Sequence, residues 1–532
     1  MKKEIFILFM LILFFSTKLF SQAVPEIQWQ KCFGGSLNET FYSIQQTADG
    51  GYIAAGRTIS NDGDVHGFNI GGASPFYNPD WWIVKLNSSG NIQWQKCLGG
   101  SGSDQAWSVK QTFDGGYIAT GETSSNDSNV SGNHGAYDVW VVKLNANGTI
   151  QWQKCYGGSA EDYGSSVYPT TDGGYILAAF TASNDSNVSG NHGIYDYWIV
   201  KIDSVGNMQW QKCLGGSNVD FARSVEQTKD GGYIVLGHTF SNDSNVSGNH
   251  GSWDFWAVKL NSAGNIQWQK CLGGSMVDQV GSVQQTFDDG YIVVGNTNSN
   301  DSNVSGNNGG QFDCWVVKLN SIGSIQWQKC LGGSGDDDAF AIQQTRDSGY
   351  IVSGTTNSND SNVSGNHGDY DSWIVKLNTT GGIQWQKCLG GSGSDEAYCI
   401  RQTSDGGYIV AGTTNSNDSN VSGNHGGYDC WVVKLSAGSV GFPEIENNIS
   451  SAIYPNPNTG NFVIENTLTQ NSTVTFTLVN TIGKKVWSNT YSLRSGTNST
   501  TVNINSLSSG IYFLRIEDES KQLTEVKKVF VR

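Results

Sequence analysis

The stretch WVVKLNANGTIQWQKC, residues 140–155, holds two tryptophans, a turn and a cysteine, and it recurs down the chain. Trp29, Trp94, Trp152, Trp210, Trp268, Trp327 and Trp385 sit in IQWQKC or, at 208–213, MQWQKC, with spacings of 65, 58, 58, 58, 59 and 58 residues. A second tryptophan recurs in D-x-W, at Asp80–Trp82, Asp138–Trp140, Asp196–Trp198, Asp254–Trp256, Asp313–Trp315, Asp371–Trp373 and Asp429–Trp431. Seven units result, and none contains a long helical period. Self-similarity at a fixed period marks a repeat architecture, in which each unit needs its neighbours to bury a core.

Each unit reads as four short strands. In the second, SVKQT (108–112), YIATGET (117–123), WVVKL (140–144) and IQWQKC (150–155) are separated by the turn FDGG, the loop SNDSNVSGNHG (125–135) and the turn NANGT. Alternating β-branched and aromatic residues between Asp-Gly, Gly-Gly and Asn-x-x-Gly turns are strand and hairpin signals. The spacing therefore predicts an all-β chain: a seven-bladed β-propeller at 24–435, a linker at 436–452 and a small C-terminal β-sandwich at 453–532. A β-solenoid is the alternative, but its coils are shorter and need no fixed copy number. The first unit opens with IQWQKC, whereas the last stops at WVVKL (431–435). In a ring the N-terminal IQWQKC would lie beside Trp431–Leu435 and complete the seventh blade, leaving no open sheet edge. The repeat resembles the tryptophan-bearing propellers of the quinoprotein type, on W-V-V-K-L-x-x-x-G-x-I-Q-W. That resemblance implies the fold and none of the family's cofactor chemistry.

The chain of 532 residues carries a formal charge of −16, with only 15% charged residues. This balance excludes a nucleic-acid binder, which needs clustered Lys and Arg against phosphate. Lys2 and Lys3 precede an apolar run from Ile5 to Phe15, and Ser21 and Ala23 suit a cleavage site, so residues 1–23 are expected to be a secretory signal. Its removal takes away Lys2, Lys3, Lys18 and Glu4, a net +2, and leaves −18. No later segment is apolar for long enough to span a bilayer.

After Leu435 come YPNP, G-x-F (460–462), GKKV (483–486), L-x-x-G-I-Y-F-L-R-I (507–516) and KKVFV (527–531). In this order the motifs resemble the type A sorting domain of the type IX secretion system of Gram-negative bacteria. The resemblance implies docking to that machinery, export through the periplasm to the outer cell surface, and removal of the tail. A lipopolysaccharide anchor or release would follow.

The polar loop offers candidate ligands. Asp127, Asn129, Ser131, Gly132 and Asp138 fall at positions 1, 3, 5, 6 and 12, the spacing of an EF-hand calcium loop. The same holds for Asp185, Asn187, Ser189 and Asp196; for Asp243, Asn245, Ser247 and Asp254; for Asp360, Asn362, Ser364 and Asp371; and for Asp418, Asn420, Ser422 and Asp429. Ca2+ would be the cofactor, yet Asx-turns place the same residue types there without a metal. The loop histidines, such as His134, read as solvated, because one per blade cannot converge on a metal. Seven cysteines share one repeat position and read as buried thiols. Cys314 and Cys430 differ: with Leu319 opposite Ile325 and Leu435 opposite Ile27, Cys314 would face Cys330 and Cys430 would face Cys32, giving two disulfides.

No GxSxG, HExxH or phosphate loop appears, and the units are near copies, so no catalytic residues are assigned. The chief irregularity is the insertion at 63–80, where His66, Tyr77 and Trp81 would mark a unique site; Trp107 and Trp253 are also off the repeat pattern. The expected activity is that of a non-enzymatic, monomeric, surface-displayed binding or adhesion module for glycan or protein. An exported polysaccharide hydrolase or lyase, and a structural surface module, are the alternatives.

Overall fold

The computed structural model describes residues 24–68, 78–438, 449–468, 471–480, 484–504, 507–517 and 523–532. The expected signal segment, Tyr77 and most of the expected linker lie outside the described residues. Among the described residues there is no helix, and the chain divides into two compact units, Met1–Ser439 and Val440–Arg532.

The first unit holds seven antiparallel sheets of four strands. The second sheet runs Asp104–Gln111, Tyr117–Thr123, Asp138–Leu144 and Ile150–Tyr156, from the innermost strand outward. The seventh takes Asp395–Gln402, Tyr408–Thr414 and Asp429–Leu435 from the end of the repeats and Ile27–Phe33 from the beginning. Side chains then link neighbouring innermost strands. Gln111 Oε1 accepts the Ala48 N–H at 2.8 Å, Gln285 the Lys229 N–H at 2.8 Å and Gln402 the Arg346 N–H at 3.0 Å. Gln46 accepts the Ser404 N–H at 2.7 Å, which joins the first sheet to the seventh. The fold is thus a seven-bladed β-propeller, with the innermost strands around a central channel.

The repeat motif explains itself in the packing. Trp140 is fully buried, and its indole N–H donates to Gln153 Oε1 at 2.8 Å. Lys143 is buried in the same strand, and burying an ammonium is tolerable only with partners. Its Nζ donates to Asp114 Oδ2 at 2.9 Å, to Gln151 Oε1 at 3.0 Å and to the Leu144 carbonyl at 3.2 Å. Burial would raise the Asp114 carboxyl, but the Thr112 hydroxyl and Lys143 outweigh it and hold the group at about 2. The outer tryptophan, Trp152, lies over the next blade's turn at Gly206, where φ is 81° and a Cβ would stand 3.0 Å from the indole. Trp29 repeats this across the closure, with its ring 5.8 Å from that of Tyr52.

The two expected disulfides are absent. Leu319 does pair with Ile325, as the sequence predicts, but Lys318 pairs with Trp327, so Gln326 is an extra residue in the outer strand. This β-bulge turns the Gln326 carboxamide to Lys318 Nζ, 3.1 Å away, and slips the register by one. Cys314 then opposes Leu331, and Cys330 opposes Trp315. The same slip at Gln28 sets Cys32 opposite Trp431 and Cys430 opposite Phe33. All ten cysteines are buried and unpaired.

The second unit is a β-sandwich. A three-stranded sheet of Ile449–Tyr454, Asn461–Leu468 and Gly496–Asn503 faces a four-stranded sheet of Lys485–Leu493, Ser472–Asn480, Gly510–Glu517 and Leu523–Val531. Phe462, Ile464 and Val502 from one, and Phe476, Leu478 and Leu514 from the other, share one core.

Candidate functional site

The polar loops sit on the rim where the connections between blades pass. In the second blade Asp127 Oδ1 accepts the Ser101 N–H at 2.7 Å, and Asn129 Oδ1 accepts the Gly99 N–H at 3.4 Å. Ser131 Oγ accepts from Gln153 Nε2 at 2.6 Å, and Asp138 Oδ2 meets the His134 N–H and Nδ1 at 3.1 and 2.6 Å. The arrangement recurs for Asp185, Asn187, Ser189 and Asp196. Asp243, Asn245, Ser247 and Asp254 follow it, as do Asp360, Asn362, Ser364 and Asp371. Asp418, Asn420, Ser422 and Asp429 complete the set, with Gln30 of the closing strand on Ser422. These side chains reach four separate protein partners and tie loop, connection and outer strand together. The expected solvated histidines are half-exposed, and each is paired to the D-x-W aspartate.

That aspartate is fully buried, and Oδ1 of Asp138 has no hydrogen-bond partner. A Cβ on Gly157 would lie 2.6 Å from both Asp138 Oδ1 and Asp162 Oδ2, so only glycine fits between the two carboxylates. Burial is the first cause that lifts these acids: Asp162, Asp196, Asp278 and Asp429 rise to about 6. Asp313, which faces Asn308 instead of a histidine, rises to about 7. A raised carboxyl binds its proton more tightly in the folded state, so this stability is complete below the unfolded value and is lost as pH rises through about 6 to 7. The thermal midpoint in high salt is therefore expected to fall as pH rises from about 4 to 8, and a flat or rising profile would contradict this burial.

The innermost strands read ETFYSIQQ, DQAWSVKQ, DYGSSVYP, DFARSVEQ, DQVGSVQQ, DDAFAIQQ and DEAYCIRQ. They differ far more than the third strands, which keep D-x-W, then V-K two residues on. The fourth and seventh positions line a central cavity of about 810 Å³. At the fourth, Phe340, Tyr398, Tyr42 and Trp107 form an arc on blades six, seven, one and two, with ring centroids 5.0, 5.2 and 4.2 Å apart in turn. Ser165, Arg223 and Gly281 occupy the remaining arc. The Trp107 indole N–H donates to Glu122, whose carboxyl burial pushes up to about 8 against that bond and Arg223. Burial, then Arg223, brings the His238 imidazole down to about 3.

At the seventh position Lys110, Tyr168, Glu226 and Arg401 face one another across the axis. Burial, then Arg401, draws the Lys110 ammonium down to about 8. Burial lifts Glu226, opposed by the Gln285 N–H, 2.9 Å from Oε2, and by Lys110 and Arg401.

Of the residues expected to mark a unique site at the insertion, Tyr77 lies outside the described residues, while Trp81 and His66 lie within them. Trp81 is fully buried, with its ring 4.3 Å from Trp140 and its indole N–H on the Glu122 carbonyl at 3.2 Å. The His66 carbonyl accepts from Gln95 Nε2 at 2.9 Å, and Trp253 stacks on Phe221 at 5.6 Å. Trp107 alone of these residues reaches the channel. The fourth and seventh inner-strand columns vary between units, but so do the second column and the middle residue of D-x-W, so variation alone does not mark the channel lining in the sequence.

Residues 452–532 match a family described as the secretion system C-terminal sorting domain. No match was found among curated proteins. Among solved structures, the chain is similar to a mutant apocarotenoid oxygenase from Synechocystis, at 10% identity and a TM-score of 0.34, covering 70% of this chain and 95% of that one. It is also similar to prolyl oligopeptidase B from Galerina marginata, at 10% identity and a TM-score of 0.35, covering 81% and 56%. A glycoside hydrolase family 43 arabinoxylan arabinofuranohydrolase from Bacillus subtilis gives 13% identity, a TM-score of 0.27 and coverage of 80% and 91%. Likenesses this distant carry no argument about activity.

Proposed function

We propose that this chain, which carries a secretion system C-terminal sorting domain and is thereby directed to the outer surface of a Gram-negative cell, is a surface-displayed binding protein that takes its ligand in the propeller's channel. The observation that carries this reading is where the seven near-copies differ. The D-x-W aspartate and tryptophan, the IQWQKC strand and the rim loops of blades two to seven repeat closely, whereas the inner strands place Tyr42, Trp107, Ser165, Arg223, Gly281, Phe340 and Tyr398 at one structural position. A ring that served only as a spacer would have no reason to differentiate the surface its channel presents. Aromatic rings with a few convergent polar groups in a concave site suit a small polar ligand. By its sorting domain the ring is displayed through the secretion machinery, and removal of the tail leaves it anchored to lipopolysaccharide or released.

A glycan array probed with the full chain and with Ser165→Trp tests the reading. Signals lost on filling the channel, with an unchanged melting midpoint, support it. Signals that persist place binding elsewhere, and new reducing ends or unsaturated products in solution would make the protein an enzyme. Calcium at the rim loops is a separate proposal, which rests on the EF-hand spacing. Such an ion would have to share Asp127, Asn129 and Ser131 with Ser101, Gly99 and Gln153, the partners these side chains already hold. A melting midpoint raised by millimolar calcium over chelator would establish it, and equal midpoints would leave the loops as connectors between blades.

A further inference from the structure

Lysines within the blades are supplied with counter-charge. Lys143 and its repeat equivalents each have an aspartate within 3.0 Å, and all but Lys434 also have a glutamine carbonyl. Lys110 breaks that pattern. It projects into the channel, and among the described residues its Nζ donates no hydrogen bond to a protein group. Its charged neighbours are Arg401, which is a like charge, and Glu226, whose Oε2 already accepts the Gln285 N–H. The Arg401 guanidinium has one such bond, to the Ile400 carbonyl at 2.8 Å. Two cations thus meet one occupied carboxylate on the axis of a protein whose net charge is −16. Partly desolvated cations in excess of their counter-charge hold an anion strongly, and low-dielectric walls focus their field.

The aromatic arc lies three residues along the strands from this pair, a span of about 10 Å at the rise of a β-strand. An inorganic ion cannot occupy both levels. A chain with an acidic group at one level and apolar ring faces at the other can. The opposite wall offers hydroxyl and carboxamide groups, Ser165, Ser166 and Gln279, and only Arg223 as a further cation at that level. Hydroxyl-rich rings bearing carboxylates match this set.

Resting on the channel reading above, we propose that the channel binds an acidic oligosaccharide, with a uronate carboxylate between Lys110 and Arg401 and a sugar ring against the arc of Tyr42, Trp107 and Tyr398. The test titrates the full chain with trigalacturonate, with a neutral trisaccharide and with inorganic sulfate, read by tryptophan fluorescence and calorimetry. The expected result is saturable binding of trigalacturonate, weakened by added salt, unmatched by the neutral sugar and not displaced by equimolar sulfate. Lys110→Met and Arg401→Gln should each weaken it about tenfold or more, and Lys110→Arg should retain it. Melting midpoints verify that the variants fold, and the salt dependence of the unmodified protein stands if they do not.

Three outcomes overturn the inference. If the neutral trisaccharide binds as tightly and Ser165→Trp abolishes it, the channel reading survives and the acidic ligand does not. If sulfate displaces trigalacturonate completely, the site is for a simple anion. If trigalacturonate binding is indifferent to Lys110→Met, Arg401→Gln and Ser165→Trp alike, both readings fall.

Discussion

The propeller of a chain lacking residues 24–33 is expected to lose its cooperative thermal unfolding. The seventh blade takes its outermost strand, Ile27–Phe33, from the N-terminus, and Trp431 donates its indole N–H to Gln30 at 2.8 Å. Gln30 also holds the rim loop through Ser422 at 2.6 Å, and Cys32 packs with Trp431 and Leu435 in one core. Without the strand, Asp429–Leu435 becomes an open edge with a fully buried face laid bare. Each blade also leans on the next, so loss at the closure reaches the whole ring, an effect on the scale of a domain's entire stability, about 5–15 kcal/mol. Circular dichroism and light scattering check the result. Moving residues 24–35 to follow Leu435 should restore the transition, because closure requires the strand and not its place in the chain. A deletion that melts at the original midpoint would show the ring to be open.

Gly121→Ala should destabilise the second blade by about 3 kcal/mol or more, the upper end of what overpacking does. Gly121 faces Ala106 across the bulge of the innermost strand, and a Cβ there would stand 1.8 Å from the Gln105 carbonyl oxygen, a backbone atom that cannot swing aside. Six blades keep glycine at this position. The third has Ala179, and its partner is Gly164 where the other blades carry a side chain. The third blade shows the pair inverted, and glycine at 106 would free the backbone that carries the Gln105 carbonyl to move away from the new Cβ, so Ala106→Gly combined with Gly121→Ala should recover most of the loss. Denaturant midpoints of the two single variants and the pair form the test, and an additive double variant would refute the reciprocal packing.

How far each result was legible differs by element. The seven units, their four strands and the donation of the first IQWQKC to the last blade follow from spacing and from one missing copy, because hydrogen-bonded edges must be paired and the repeats show which edge lacks a partner. The C-terminal sandwich was legible because its motifs are contiguous. The cysteine pairing failed for a local reason: the first glutamine of the motif bulges toward a buried lysine, and strand periodicity cannot show a one-residue slip set by a side-chain bond.

The candidate site divides the same way. The loop spacing of Asp127 to Asp138 was visible, but whether those oxygens meet at one centre depends on where the chain turns, and Ser128, at φ 55°, helps to set that path. Lys110, Glu226 and Arg401 are separated by 116 and 175 residues in sequence, and nothing local relates them. Sequence by itself determined the repeat, its closure and the sorting domain, because these rest on period and order. Only the tertiary structure decided which side chains share the axis, because closing a ring brings together one position from every blade, and that proximity has no trace in any single repeat.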